Sequence, residues 1–191
     1  MDTMQAIEQR RSIRRFKDTP VPHDAMVQIL CAATLAPSGK NKQPWHFVVV
    51  QGEKRAEMVR LLREGIDQIE AQGGHPGSSR ATARIMEQAP ATVFVFNPYA
   101  KRAEIKPTRE TMIWNIVDTQ SVGAAIQNML LAAQELGLGT LWICDVFYAY
   151  ESLCAWLGQE TQMIAAISIG YPDQSPDARP RKPVDEVTEW L

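Results

Sequence analysis

The sequence predicts a single domain of mixed α+β structure over residues 1–191. Four short apolar runs have the length and composition of buried strands, and segments with helical periodicity lie between them. The order of these segments lacks the regular alternation of strand and helix that produces a parallel α/β sheet. A chain of 191 residues buries roughly 70% of the surface that its unfolded form exposes, which allows one large core.

The first half of the chain is predicted to contain four helices and one strand. Met4 and Ile7 lie on one face of a short helix that begins near Asp2 or Thr3. A dense apolar run, Trp45–Val50, is typical of a buried strand. The further helices of this half are predicted from Asp24, as N-cap, to the break at Pro37–Gly39, over residues 54–70 and over residues 80–88.

The second half is predicted to contain three strands, one long helix and one short helix. The long helix has small residues on more than one side, such as Gly123 and Ala124, which allow close packing of its neighbours. Residues 97–113 have no clear period and are predicted to form a long loop. The predicted elements are strands 91–96, 140–144 and 163–169, and helices 115–136 and 148–157.

The composition excludes several classes of function. A formal net charge of −2 gives no global basicity that would attract nucleic acid. No apolar run approaches the roughly 18 residues of a membrane span, and the start of the chain lacks the apolar core of a signal peptide, so we expect a cytoplasmic protein. Cys31, Cys144 and Cys154 suggest neither a disulfide framework nor a zinc site, and no metal is expected.

A basic stretch, residues 10–17, is the first candidate for a binding site. It holds five of the 20 lysines and arginines of the chain, at the end of the first predicted helix. Arginine offers planar bidentate donors that suit phosphate, and backbone N–H groups near a helix end can add to them. A run of surface arginines is nonetheless usually a solvated face, so this stretch alone does not establish an anion site.

The C-terminal tail, residues 170–191, carries a second basic cluster. Prolines stiffen the tail and would hold the guanidinium groups of Arg179 and Arg181 in place at little entropic cost. Two basic clusters at opposite ends of a chain can converge on one anion. Alternatively, the tail arginines pair with tail carboxylates, which contributes little if the pairs are exposed. The apolar residues of the tail are expected to cover another surface, on the same chain or on a partner.

Other motifs indicate no chemistry of their own. Gly137–Gly139 lacks the third glycine of a dinucleotide fingerprint, and neither a Walker loop nor a GxSxG nucleophile motif occurs. The histidines have no metal-ligand spacing. Cys144 has no nearby histidine in the sequence that would activate it, and it is expected to be a small buried residue.

Five short motifs occur in a characteristic order along the chain. They are RRSIR at 10–14, PSGKNKQPWHF at 37–47, AAQELGLGTLWI at 132–143, GYP at 170–172 and RKP at 181–183. In this order and spacing they resemble the nitroreductase family of FMN-dependent oxidoreductases, over nearly the whole chain. The resemblance implies an α+β fold with a central mixed or antiparallel sheet flanked by helices. It also implies an interlocked homodimer with a C-terminal extension and FMN at two symmetric interface sites.

The resemblance further implies which residues contact FMN. The arginines of both ends and Ser12 resemble phosphate and ribityl contacts. Residues 37–39 resemble the loop that the neighbouring subunit lays against the flavin ring, and Asn41 and Gln43 resemble polar supports of that loop. The strand from Leu141 resembles the segment that donates to flavin N5. Many relatives have glycine after this strand where the chain has Cys144, so the N5 donor is not assigned. The expected cofactor-binding residues are Arg10, Arg11, Ser12, Arg14, Pro37, Ser38, Gly39, Asn41, Gln43, Leu141, Trp142, Ile143, Cys144, Arg179 and Arg181.

The activity that the resemblance implies is a two-step reduction. NADH or NADPH passes a hydride to flavin N5, and a small electron-poor acceptor (a nitroaromatic, quinone or enone) is then reduced. No obligatory catalytic side chain is expected, because the cofactor carries the redox chemistry. Two alternatives stay open. One is a reductive dehalogenase-like flavoenzyme, although Tyr99–Glu104 has the wrong residue order for the lid of those enzymes. The other is a non-catalytic flavin-binding protein.

Overall fold

The computed structural model describes residues 2–102 and 108–191. Helices surround one sheet of four strands within these ranges. In chain order the elements are α1 (Thr3–Gln9), α2 (His23–Thr34), β1 (His46–Gln51), α3 (Lys54–Ala71), α4 (Ser79–Gln88), β2 (Ala91–Lys101), α5 (Arg109–Glu135), β3 (Gly139–Ile143), α6 (Tyr150–Trp156) and β4 (Thr161–Gly170). Three short 3₁₀ turns lie at Gly39–Asn41, Asp145–Ala149 and Val184–Glu186.

The sheet is antiparallel, with the strand order β1-β2-β4-β3. The last strand in the sequence, β4, therefore lies in the interior of the sheet between β2 and β3. Val93 of β2 stands opposite Val49 of β1 on one side and Ile167 of β4 on the other. This arrangement confirms the predicted α+β class, and of the two sheet types that were expected it is the antiparallel one.

Alternate residues of β2 face two separate hydrophobic cores. Val93 and Val95 pack on the side covered by α2 and α5, whereas Phe94 and Phe96 pack on the side covered by α3, α4 and α6. The alternation follows from the two-residue period of a strand. Because both faces of the sheet are covered, β2 begins as a continuous apolar run in the sequence, which is why the strand was predictable.

The predicted starts of two helices are wrong. α2 begins at His23, so Asp24 lies in its first turn and not at the N-cap. There the positive end of the helix dipole stabilises its carboxylate. α5 begins at Arg109 and not near residue 115, because Thr108 caps it by accepting a hydrogen bond from Thr111 N (3.1 Å). The apolar side chains in the first turns of α5 are exposed. The helical repeat of buried residues, on which the prediction was based, therefore begins later than the helix itself.

Residues 97–113 do not form one long loop. β2 continues through Asn97, which pairs with Gln162 of β4, as far as Lys101. The last part of the segment is the start of α5. Residues 103–107 lie outside the described ranges. The strand was missed because backbone hydrogen bonds to β4, which need no apolar side chain, carry it beyond its buried part.

The apolar residues at the end of the tail are exposed. Val187 and Trp190 have 63% and 88% of their surface accessible. These side chains are therefore largely uncovered, whereas an earlier part of the tail lies on its own chain, where Asp173 N donates to Arg15 O. Covering a partner stays a prediction. Within the described ranges no helix has the length and apolar character needed to cross a membrane.

Candidate functional site

Backbone hydrogen bonds fix the basic stretch between β3 and the tail. Ile13 N donates to Thr140 O at the start of β3 (2.9 Å). On the tail side, Asp173 N donates to Arg15 O (3.0 Å). The Ile13 side chain is buried against Gly139, where an added Cβ would come within 2.5 Å of it. Glycine at that position lets the stretch approach the edge strand closely.

The tail turns back beside the basic stretch, and the two segments line a cavity of about 290 Å³ that is open to solvent. We call it the arginine cavity. Two carboxylates, Glu8 and Asp177, also border it. Six residues that the sequence assigned to cofactor binding line this cavity together, namely Arg10, Arg11, Ser12, Arg14, Arg179 and Arg181. The two basic clusters therefore converge in space, as one of the two interpretations of the tail predicted.

The arginines of this cavity lack anionic partners within residues 2–102 and 108–191. None of their guanidinium groups lies within 4.0 Å of a carboxylate oxygen there. Arg181 instead donates to the backbone carbonyls of Arg179 and Pro180 (both 3.3 Å). Burial, and then the like charges of Arg181 and Arg11, lower the pKa of Arg10 from its usual value. Positive charge that repels itself in this way favours binding of an anion.

The start of β3 connects the arginine cavity to the predicted N5 segment. Ser12, which lines the cavity, pairs with Thr140 in a parallel bridge, and β3 continues beyond Thr140 at about 3.3 Å per residue. Leu141 and Ile143 are buried, whereas Trp142 is 39% exposed. The four residues assigned to this segment from the sequence follow directly after the bridge, and none of them lines the cavity. They are Leu141, Trp142, Ile143 and Cys144.

Cys144 is exposed, so the expectation that it is buried was wrong. Partial burial of the thiol raises its pKa, to which the carboxylate of Asp145 adds, while a hydrogen bond with Trp142 acts in the opposite direction. The thiol is therefore protonated at neutral pH and is a poor nucleophile. Asp145 accepts a short hydrogen bond from Thr82 Oγ1, which ties the end of the segment to α4.

The loop of residues 37–43 has a constrained backbone. Lys40, Asn41 and Gln43 have φ angles of 54°, 55° and 51°, in the left-handed region that costs non-glycine residues roughly 1 to 3 kcal/mol each. Within the loop, Gln43 N donates to Ser38 Oγ (2.9 Å) and Gln43 Nε2 donates to Asn41 O (3.5 Å). Gln43 thus contacts the loop through its backbone and its side chain, and Asn41 takes part through its backbone carbonyl.

Pro37, Ser38 and Gly39 line a second concavity of about 350 Å³, which we call the slot. Its opposite wall is formed by α5 through Val117, Gln120, Ser121 and Ala124. The slot shares no lining residue with the arginine cavity. Within one chain, the residues assigned from the sequence thus form two separate groups, and the loop is not brought to the arginines.

Sequence reasoning missed the residues that anchor this loop. Lys42 Nζ lies 2.5 Å from Asp118 Oδ2 on α5, and the Asp118 side chain is only 4% exposed. Lys42 Nζ also lies 4.4 Å from the centre of the Tyr99 ring and 5.3 Å from that of Trp114. A carboxylate on the buried face of an apolar helix was the available signal for Asp118, but nothing in the sequence names its partner.

The nitroreductase family model matches residues 7–171 of this chain. The match covers most of the sequence, so the chain belongs to the nitroreductase family. This confirms the family resemblance, and the matched range includes the RRSIR, PSGKNKQPWHF and AAQELGLGTLWI motifs.

Known relatives and structures agree with this assignment. The “Putative NADH dehydrogenase/NAD(P)H nitroreductase” of Methanothermobacter thermautotrophicus is 29% identical over 183 residues, which cover 94% of this chain and 82% of the relative. The “Iodotyrosine deiodinase” of Thermotoga neapolitana is 27% identical over 192 residues, covering 94% and 92%. The crystal structure of a “putative nitroreductase in complex with fmn” from Desulfovibrio desulfuricans is 31% identical, with a TM-score of 0.76 over 100% of this chain and 98% of that one.

Proposed function

We propose that the protein reduces small electron-poor acceptors, such as nitroaromatics, quinones or enones, at the expense of NADH or NADPH, with FMN as its bound cofactor. The coarser statement follows from family membership, from a relative named NAD(P)H nitroreductase and from a structural neighbour in complex with FMN. The chain is an NAD(P)H-dependent FMN oxidoreductase. The acceptor class and the residues that hold the cofactor are the proposed part.

The observation that carries the proposal is the arginine cavity. A phosphate carries up to two negative charges and needs several charge-assisted donors. The cavity offers guanidinium groups of Arg10, Arg11 and Arg181 that have no carboxylate partner among the described residues. The Ser12 side chain borders the same space and can add a hydroxyl. These residues fit the phosphate end of FMN.

The remaining contacts follow from the position of β3. Its start adjoins the cavity through the bridge between Ser12 and Thr140. We assign the exposed edge of the segment from Leu141 to Cys144 to the flavin ring, which its backbone N–H groups would orient. Bound FMN supplies the redox chemistry, accepting a hydride at N5 and passing reducing equivalents on. The chain's own residues hold and orient the cofactor and leave one face open, and no side chain is assigned as acid or base.

The loop and the tail support a site shared between two copies of this chain. The slot does not adjoin the arginine cavity of its own chain. Trp190 and Leu191 at the end of the tail are uncovered, and burial of such side chains on a partner is favourable. We therefore propose a homodimer in which each slot faces the flavin of the partner. Conversion to monomers should then release FMN, and a monomer that keeps its FMN would contradict the shared site.

Colour and bleaching test the activity directly. The purified protein should be yellow, lose its flavin absorbance when NADH or NADPH is added without oxygen, and regain it when a nitroaromatic or quinone follows. Yellow protein that neither nicotinamide bleaches would indicate a non-catalytic flavin-binding protein. Colourless protein that takes up no added FMN would contradict both flavin functions.

The deiodinase relative favours one further acceptor. We therefore include 3-iodotyrosine in the anaerobic panel of acceptors, beside a nitroaromatic, a quinone and an enone. Tyr99 is exposed and Lys101 follows on the same strand, but Ala103 and Glu104 lie outside the described residues. Release of iodide faster than reduction of every other acceptor would assign the chain to dehalogenation instead of nitroreduction.

A further inference from the structure

We propose that Lys42 and Asp118 are positioning residues that hold the 37–43 loop in the shape needed to take a flavin ring in the slot. Neither residue belongs to the cofactor contacts assigned above, and neither lines the slot or the arginine cavity. The inference rests on the proposed function, because it concerns the loop assigned to the flavin of the partner subunit.

The ion pair is short and largely removed from water. Lys42 Nζ and Asp118 Oδ2 are 2.5 Å apart, and the two side chains are 27% and 4% exposed. The second carboxylate oxygen, Asp118 Oδ1, is buried without a hydrogen-bond partner among the described residues. Loss of the lysine would leave a buried carboxylate unpaired, which is strongly unfavourable. The position of Lys42 is therefore tightly tied to α5.

Both ends of Lys42 are held by neighbouring elements. Its ammonium group lies over the rings of Tyr99 and Trp114, at 4.4 and 5.3 Å from their centres. Its backbone carbonyl accepts a hydrogen bond from Tyr99 Oη (3.3 Å). Since Tyr99 belongs to β2 and Trp114 to α5, these contacts connect the loop to two elements of the rigid scaffold.

The backbone of the loop needs such an anchor. The residues on both sides of Lys42, Asn41 and Gln43, have left-handed φ angles, as does Lys40. Strained conformations of this kind persist only where the surroundings enforce them. The ion pair supplies a strong contact of this type at the centre of the strained segment.

The same anchor sets the spacing of the slot walls. Gly39 N donates to Ser121 Oγ on α5 (3.4 Å), and a Cβ at Gly39 would come within 2.5 Å of Val117 Cγ1. Asp118 lies between these two α5 residues in the sequence. The pair thus fastens the loop to the helix directly beside the slot.

A purely structural role explains the pair poorly. Well-packed apolar side chains stabilise a core as well as a buried ion pair does. This loop is polar and largely exposed, so it has few apolar side chains to bury. An ion pair can hold the loop in place where apolar packing cannot, and it leaves the outer face of the loop uncovered. An exposed, rigid loop beside an open slot is what a flat ligand requires.

The test uses the 191-residue chain and five single substitutions, the fifth being Lys42→Arg, which keeps the positive charge. Lys42→Met leaves the buried Asp118 carboxylate unpaired and Asp118→Asn leaves the partly exposed Lys42 ammonium unpaired, while Tyr99→Phe removes only the hydroxyl that contacts the loop and is expected to fold normally. Glu87→Gln is the control, because it breaks an exposed ion pair with Arg63 (2.7 Å) far from the loop in sequence. Amide hydrogen exchange of residues 38–43 and the Kd for added FMN are measured for each, with the oligomeric state confirmed by sedimentation.

We expect exchange in the loop to accelerate at least tenfold, and the Kd for FMN to rise at least tenfold, in Asp118→Asn and Lys42→Met. Tyr99→Phe should raise both about threefold, in line with loss of one hydrogen bond, and Lys42→Arg should restore values near those of the unsubstituted protein. Glu87→Gln should change neither.

Other outcomes overturn the inference. A lower Tm with loop exchange and FMN affinity within twofold of the unsubstituted protein would show a structural role only. If Asp118→Asn and Lys42→Met do not fold, unchanged loop exchange in Tyr99→Phe would also count against a positioning role for these contacts. Failure of the unsubstituted protein to bind FMN would contradict the proposed function instead, while the exchange rates would still show whether the pair fixes the loop.

Discussion

Two groups of arginines in this chain lie in opposite electrostatic environments. On the outer surface, Arg80 of α4 donates to Asp67 (2.7 Å) and Glu70 of α3. These hydrogen bonds raise the pKa of Arg80, and the bond to Glu70 has the larger effect. In the arginine cavity, burial and the like charge of Arg181 lower the pKa of Arg10. An arginine on the outer surface is thus paired with carboxylates of its own chain, whereas the arginines of the cavity have no such partner among the described residues.

This difference separates a structural charge from one that is available for binding. The network on α3 and α4 needs no further partner, and exposed pairs of this kind contribute little to stability. In the arginine cavity, the guanidinium groups approach one another without a paired carboxylate among the described residues. An anion of the right shape would reduce that repulsion, so we expect substitutions in the two regions to have very different effects on cofactor binding.

The largest effect is expected from removal of one arginine on each side of the cavity. Arg10→Ala combined with Arg181→Ala should weaken FMN binding by at least about 3 kcal/mol, because two charge-assisted contacts of about 1.5 to 3 kcal/mol each are lost. The Kd would rise more than roughly a hundredfold, as measured by quenching of flavin fluorescence. Circular dichroism should show an unchanged fold. Retention of tight binding would show that the phosphate lies elsewhere.

Substitution on the tail side alone gives a smaller effect. Arg181→Ala removes one charge-assisted contact of roughly 1.5 to 3 kcal/mol and also relieves its repulsion of Arg10, so the measured loss should fall near the lower limit. The readout is the fraction of FMN that stays bound through gel filtration. An unchanged FMN affinity would disprove the role assigned to the tail.

A higher salt concentration should also weaken FMN binding, but by less than the substitutions in the arginine cavity do. The cavity is open to solvent and attracts its ligand by charge, so raising KCl from about 50 mM to about 500 mM, which shortens the screening length, should raise the Kd for FMN severalfold. Titration calorimetry at several ionic strengths measures the slope. The slope should be shallower in Arg181→Ala, and equal slopes in the two proteins would place Arg181 away from the bound phosphate.

The smallest effect is expected in the surface network. Arg80→Ala should leave the Kd for FMN and its salt dependence unchanged, because this arginine already has its carboxylate partners and lies on α4. Calorimetry of the variant beside Arg181→Ala makes the comparison direct. A loss of FMN affinity as large as that of Arg181→Ala would remove the distinction between the two regions.

The strands were predictable because their side chains are buried on both faces. Val93 to Phe96 and Ala165 to Ile167 form apolar runs that hardly fit any other environment. Prediction failed where other forces determine structure. The end of β2 is held by backbone pairing with β4, and the start of α5 is set by the Thr108 cap, beside exposed apolar residues that give no buried period.

The candidate site was predictable in part. The arginines, Ser12 and the loop motif were proposed because they resemble motifs of a known family, and their contacts with FMN stay a prediction. Lys42 and Asp118 were missed, since they are 76 positions apart and each alone is an ordinary charged residue. Nor could the sequence show that the loop lines a slot apart from the arginine cavity, because that separation depends on how the loop docks on α5.

The sequence by itself determined which segments are buried, which residue types are offered to an anion, and the family to which the chain belongs. Only the tertiary structure decided that arginines from opposite ends of the chain line one cavity. The physical reason is that this convergence depends on backbone hydrogen bonds, from Ile13 to Thr140 and from Asp173 to Arg15. Such bonds involve no particular side chain, and so they leave no pattern in the sequence.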